Sequence, residues 1–370
     1  MSKNNADIII PDLKVGANCF LMNISGVFEY KGMLSMALLY TNLDFLYNPD
    51  YYTVFINPRP PEDYISKDNE LLIPGSLDSL YHRDYMKYIY QNTKSPDAFS
   101  INKINPGILN DYNELKNLII TKNSPVIFKG DHFYLHDDYI KKTGDIMHYH
   151  SGFHSATIVD LNNDNKTCLI IDKFFSFVGE VSLESYKNAV NSNYITKPDC
   201  SIIEVNRFQH MDEVERTRFL LKENIESSLE EYSIINDIKY YKNVKALEMF
   251  IGNYERHLIE VMEQKGKYAP QFTTKILKPV RLNKLGFSNL IIYIKDVLNI
   301  KILHEIEPLC KEITSLWTRA DQLCDKCYLT GKTVIEYKDR LLDTYYIILE
   351  KEKVLFDKLE KLYVVLSNKG

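Results

Sequence analysis

The hydrophobic spacing of this chain changes character once, near Glu204, and that change limits the fold more than any other feature. Before it, short β-branched runs mix with helix-like stretches, and most of the prolines fall there. After it, apolar residues recur almost everywhere at three- and four-residue steps, the spacing of one helix face. In the last stretch Leu341, Tyr345, Ile348, Leu355, Leu359, Leu362 and Leu366 form a seam interrupted by Glu352, as in a helix packed against other helices. At 370 residues, two domains are favoured over one. The expectation is an α+β domain over residues 1–204, helices first and antiparallel sheet after, and an all-helical bundle over 205–370 that caps the first domain or makes a homodimer.

Within the first part, Phe20, Leu21, Ile24, Val27 and Phe28 repeat at helical spacing and Gly32 follows as a stop. A second helix is expected over 33–46, an irregular aromatic excursion with one strand (52–56) over 47–75, and further helices over 76–94 and 108–121. Pro125-Val-Ile-Phe-Lys, His154-Ser-Ala-Thr-Ile-Val-Asp and Thr167-Cys-Leu-Ile-Ile-Asp read as strands, the last two joined by the polar connection Leu161-Asn-Asn-Asp-Asn-Lys. Another short strand over 174–181 precedes a helix that Ser182 begins as a capping residue.

Composition excludes several classes. A net charge of -5, with basic clusters matched by acids, does not suit a nucleic-acid binder. No apolar run nears the ~20 residues that span a bilayer, and Ile8-Ile-Ile ends at Pro11, too short for a secretory core. The expectation is a cytoplasmic protein with no membrane partner. Six cysteines in a chain this long do not make a disulfide scaffold, so each is a buried hydrophobe, a ligand or a nucleophile. Fourteen glycines include no phosphate-cradling fingerprint.

Cys19 is the cysteine placed for chemistry. It opens the first helix, where the positive end of the macrodipole favours the thiolate. On that helix Cys19 shares a face with Asn23 and Gly26, opposite the apolar stripe, so Asn23 is a candidate substrate contact. His154 begins a strand 154 − 19 = 135 positions downstream, and Asp172 ends the next strand. In an antiparallel pair, a His at the start of one strand and an Asp at the end of its neighbour reach the same sheet edge. That is what a base and its orienting carboxylate require. A His following a nucleophilic Cys by this distance also fits papain-like enzymes.

Asn18-Cys-Phe-Leu-Met-Asn-Ile-Ser-Gly-Val-Phe-Glu-Tyr-Lys-Gly, Gly152-Phe-His-Ser-Ala-Thr-Ile-Val-Asp, Ile-Ile-Asp172 and Val181-Ser-Leu-Glu-Ser-Tyr, in this order, resemble the bacteriocin-leader-peptidase-like branch of the papain fold. The more specific resemblance, over about residues 14–192, is to the family of the N-terminal domain of butirosin biosynthesis protein H. There an approach strand and aromatic loop, compare Pro125 to Leu135, precede a pair of histidines like His150 and His154. The resemblance implies a cysteine-protease homologue that forms amide bonds in antibiotic and nonribosomal peptide biosynthesis, as in closthioamide assembly. Such a protein moves an acyl group from a carrier-protein thioester to an amine. Carried over, Cys19 is the nucleophile, His154 the general base and acid, and Asp172 its orienter. An acyl or peptidyl carrier protein bearing phosphopantetheine and a small-molecule amine are the implied partners, with no cofactor of the enzyme's own.

The chain departs from the pattern at three places. A glycine-rich stretch is missing from 38–47, Lys173 follows Asp172, and Leu13 and Lys14 stand where a leader peptidase carries its oxyanion Gln. Asn18 and the Cys19 backbone N–H are the substitutes. His150 and Tyr134 are candidate substrate contacts, and the aromatic runs 47–55 and 133–139 suit a flat substrate or a filled core. His148, His150, His154 and Asp145 raise a metal reading that no flanking cysteine pair supports, so no metal is expected. His132 and His136 are accounted for by loop polarity. Cys324-Asp-Lys-Cys327 has no second pair and reads as packing. Peptide or thioester hydrolysis by the same three residues, and a non-catalytic binding role on a degenerate papain fold, remain the alternatives.

Overall fold

The computed structural model describes residues 14–15, 19–41, 44–49, 98–143, 150, 154–195, 198–235, 238–265, 269–330 and 334–368. The expected strand at 52–56, the helix at 76–94, and Asn18, Asp145 and His148 lie outside them. The chain is α+β, with helices and antiparallel sheets, and it divides into two compact units that are not consecutive in sequence. The first comprises 1–37 and 95–216; the second comprises 38–94 and 217–370. A single cut at 204 therefore does not describe the division. The early strand Leu46–Tyr47 (β1) belongs to the second unit.

In the first unit, helix Cys19–Tyr30 (α1) is followed by strand Phe99–Ile104 (β2), helix Tyr112–Lys122 (α2), strand Val126–Lys129 (β3) and helix His136–Thr143 (α3). Strands Ser155–Asn162 (β4), Thr167–Asp172 (β5) and Phe177–Ser182 (β6), helix Leu183–Val190 (α4) and strand Cys200–Val205 (β7) complete it. The sheet order is β2-β7-β3-β4-β5-β6, every pair antiparallel. Alternation sends Val126, Phe128, Ile158, Ile170 and Ile202 to one face, where Leu115, Ile119 and Tyr186 from α2 and α4 close the core. Val159, Leu169 and Ile171 point to the other face, against which α1 packs. Both faces are covered, which is why β5 reads as an unbroken apolar run rather than an alternating one.

α1 ends at Gly32, whose φ of +69° reverses the chain, as expected from the sequence. α2 starts later than the expected 108, because Asp111 caps it by accepting the Glu114 N–H at 3.0 Å. The helix expected over 33–46 is only a 3₁₀ segment, Leu34–Leu39. Asn224 explains the stop: its side-chain amide donates to the carbonyls of Leu38 (2.8 Å) and Thr41 (3.0 Å), acceptors that a continuing helix uses internally.

The second unit departs from the all-helical expectation by a three-stranded sheet, order β1-β9-β8, built from β1, Tyr232–Ile235 (β8) and Ile238–Lys242 (β9). Helix Glu213–Ser228 (α5) leads into it, and Asn243–Lys265 (α6), Ala269–Leu298 (α7), Leu303–Thr330 (α8) and Lys338–Ser367 (α9) follow. Asn243, at φ +51°, joins β9 to α6 and holds Phe45 from both sides, donating to its carbonyl (2.7 Å) and accepting its N–H (3.0 Å). Phe45 and Tyr47 thereby enter an aromatic core with Phe250, Trp317, Tyr254 and Tyr345. No helix of the described residues is long and apolar enough to cross a membrane.

The Glu352 interruption of the α9 seam meets Lys284 of α7, Nζ to Oε1 2.6 Å, with both side chains buried. Removing one partner strands a buried charge, whereas removing both need not. Glu352→Ala is expected to lower unfolding stability by about 3–5 kcal/mol and Lys284→Met/Glu352→Leu to restore most of it, as read from urea midpoints of the full chain.

Candidate active site

Cys19, His154 and Asp172 come together at one end of the first unit's sheet. β4 pairs with β5 in a register that sets Thr157 against Ile171. One step further brings Ala156 level with Asp172, and His154 lies two residues beyond on the same face. The His154 Nε2 is 2.5 Å from Asp172 Oδ2. Asp172 is fully buried, yet its carboxylate is well served: Tyr139 O–H donates to Oδ2 at 3.1 Å, and the Phe174 and Phe175 N–H groups donate to Oδ1 at 3.2 and 3.4 Å. A carboxylate only accepts, so Nε2 carries the shared proton and Nδ1 is the nitrogen left to meet Cys19, with which His154 is hydrogen-bonded.

Cys19 sits at the first residue of α1 and is half-buried, whereas the other five cysteines are buried. Burial alone pushes its thiol up, but the His154 hydrogen bond and charge, with the Ser155 N–H, more than offset that. Cys19 therefore falls below its ordinary 9.0, against a smaller opposing push from Asp172. His154 moves the other way. Burial favours its neutral ring, yet the charge and hydrogen bond of Asp172, then Cys19, raise it to about 10. Shifts of this sense favour transfer of the Cys19 proton to His154. Elsewhere burial holds cysteines as thiols: Cys200 and Cys310 rise to about 12, and Cys324 and Cys327 also rise, in keeping with packing.

Asn23, expected to touch substrate, does something else. It is fully buried, donates to Cys19 O (2.8 Å) and Ser155 O (2.6 Å), and accepts from Thr157 Oγ1 (3.2 Å). It fastens the Cys helix to the His strand, which the helical wheel could not distinguish from facing a cleft. A second fastening is the buried pair of Lys173 Nζ and Glu29 Oε2 at 2.8 Å, so the departure at Lys173 ties the Asp172 end of β5 to α1. Gly26 permits the approach: a Cβ there meets Lys173 Cγ at 3.1 Å and Ile171 Cγ2 at 3.4 Å.

His132 and His136, expected as polar loop residues, are both buried. The His132 ring lies 5.5 Å from that of His154, edge to face, and Phe175 packs on both. Phe174, a third exposed, flanks His154 at 5.7 Å. His150 and Tyr134 do come together, rings 5.7 Å apart, beside a second His–carboxylate contact, His150 Nδ1 to buried Asp131 Oδ2 at 2.8 Å. Sequence reading missed Tyr139 and Asp131; Tyr139 ends the aromatic run 133–139 and Asp131 lies two residues before it, but only tertiary pairing gives them partners. Among the described residues no three His, Cys, Asp or Glu are grouped to hold a metal ion.

Two outcomes follow from this geometry. Iodoacetamide alkylation of Cys19 is expected to become fast at a pH below the 9.0 of an ordinary thiol, and to stay fast as His154 loses its proton near pH 10. In His154→Ala only the Ser155 N–H is left to oppose burial, the midpoint climbs, and the rate at pH 7 drops by about tenfold for each unit of that climb. Asn23→Leu, leaving Thr157 without its buried acceptor, is expected to cost about 1–3 kcal/mol in a denaturant titration and to slow alkylation as Cys19 loses register. No protein-family model matches this chain, and comparison with curated proteins finds no match either.

Proposed function

We propose that the first unit is a papain-like thiol acyltransferase that forms an amide by moving an acyl group from a thioester to an amine through acyl-Cys19. The observation that carries the reading is the opposed pull on Cys19 and His154, down on the thiol and up on the imidazole. A thiolate attacks the thioester carbonyl, the C–S bond of the donor breaks, and the departing thiolate takes the His154 proton, which leaves the ring neutral. An amine then attacks acyl-Cys19, His154 takes a proton from it, and Cys19 leaves as thiolate. The Cys19 N–H at the start of α1 is the donor we assign to the developing oxyanion; Asn18 lies outside the described residues.

The donor class follows from leaving-group chemistry. An amide nitrogen leaves only if it is protonated as the C–N bond breaks. A thioester sulfur leaves as thiolate and takes its proton from His154 only after the C–S bond has broken. Thioester cleavage therefore suits the site better than peptide cleavage, and a carrier protein presenting an acyl phosphopantetheine is the natural source.

Intact-protein mass spectrometry with short acyl thioesters tests the reading. Wild type is expected to gain the acyl mass, Cys19→Ala to gain none, and an added amine to discharge the adduct faster than water. Discharge by water alone at the same rate makes the protein a thioester hydrolase.

A further inference from the structure

Transfer to an amine has a proton requirement that hydrolysis lacks, and the first unit holds a second histidine placed to meet it. At neutral pH an alkylamine arrives as an ammonium ion, which has no lone pair to attack with. One proton must leave before the C–N bond forms and a second during attack. His154 can take only the second, since it has just given its own proton to the departing thiol and returns to the imidazolium state when Cys19 is expelled.

His150 presents one ring edge to solvent. Phe133 and Tyr194 stack on its two faces, with centroids at 3.9 and 4.2 Å and interplanar angles of 29° and 7°. Its Nδ1 is engaged by Asp131, whose Oδ2 also accepts from Ser192 Oγ at 2.7 Å and whose Oδ1 accepts the Phe133 N–H at 3.3 Å. Asp131 is fully buried and His150 is 28% exposed, so the open edge is the one bearing Nε2. A carboxylate on Nδ1 fixes that nitrogen as the N–H, which makes Nε2 the bare, basic nitrogen of the neutral ring. The two His–Asp pairs share one short segment. The Gly130 N–H donates to the His154 carbonyl at 3.0 Å, and the next residue, Asp131, holds His150. The four-residue step between the histidines keeps their Cα atoms within about 14 Å of each other.

We propose that His150, oriented by Asp131, is the second base of the reaction and deprotonates the ammonium acceptor on its way to acyl-Cys19; this rests on the amide-forming reading above. R–NH₃⁺ gives one proton to His150 Nε2. The resulting amine attacks the acyl carbon, the tetrahedral intermediate passes its second proton to His154, the C–S bond breaks, and Cys19 leaves as thiolate. The amide departs, the thiolate–imidazolium pair is restored, and His150 returns its proton to water through its exposed edge. An acceptor with a primary amine and a flat face to lie on Tyr194, which is 56% exposed, is the class this arrangement takes.

The test compares acceptors that differ in whether the first proton must be removed. At pH 7 benzylamine is an ammonium ion, and hydroxylamine is mostly the free base. Acyl-Cys19 is formed from a short thioester, and its discharge by each is followed by mass spectrometry in wild type, His150→Gln and Asp131→Asn. The ratio of benzylamine to hydroxylamine rates is expected to fall roughly 10²-fold in His150→Gln, the ordinary worth of one positioned base, and by less in Asp131→Asn. A merely structural defect lowers both rates and leaves the ratio. An unchanged ratio in both variants, with wild type still preferring amines to water, overturns the second base and spares the transferase. A wild-type adduct discharged by water as fast as by either amine overturns the transferase and this role with it.

Discussion

The contact between His154 Nε2 and the buried Asp172 carboxylate is the interaction on which the site depends. A carboxylate taken out of water is costly unless its oxygens are occupied, and here Tyr139 and two backbone N–H groups occupy them alongside the imidazole. With the carboxylate held at a fixed place, the ring has one orientation, and the charge and hydrogen bond of Asp172 raise its proton affinity. Asn23 and the Lys173–Glu29 pair matter because they hold the helix bearing the thiol against the strands bearing the other two groups. The polar groups between α1 and β4–β5 are thus a jig for the triad.

The second unit uses buried polarity differently. Asn243 and Asn224 spend their side chains on the backbone of residues 38–45, and Lys242 meets Asp44 at 3.2 Å. These contacts bind an early segment into a core otherwise made by residues far along the chain. Lys284 and Glu352 act between helices, where an ion pair among leucines restricts which register α7 and α9 can share.

Much of the first unit was legible because its signals are local. The helix opened by Cys19, and the β4–β5 hairpin with a His at one start and an Asp at the far end, need only periodicity and antiparallel geometry. Asn23 was misjudged because one helical face can meet a cleft or a strand, and nothing within the helix tells which. The 33–46 segment has helical spacing, but Asn224, nearly two hundred residues away, competes for its carbonyls. The β8–β9 hairpin carried a signal that was overlooked: Tyr232-Ser-Ile-Ile and Ile238-Lys-Tyr-Tyr are β-branched and aromatic runs separated by Asn-Asp. The interleaving of the units has no sequence signature, since an aromatic pair such as Phe45 and Tyr47 looks the same whichever core it enters.

In the reading proposed above, a second His–carboxylate pair is what an amine acceptor adds to the needs of a hydrolase. Water brings one proton to lose at a time, and a single imidazole cycling against Cys19 handles it. An ammonium acceptor brings one more, and the base that takes it must stand apart from the Cys19–His154 pair, because a ring already holding a proton for a thiolate cannot accept another. It must also reach solvent, to be reset on each turnover. His154 is buried to 6% exposure and held by two partners, as the first task requires; His150 keeps an open edge, as the second does. On the transferase reading proposed above, the difference in exposure between two histidines four residues apart answers to the difference between transferring an acyl group to water and transferring it to an amine.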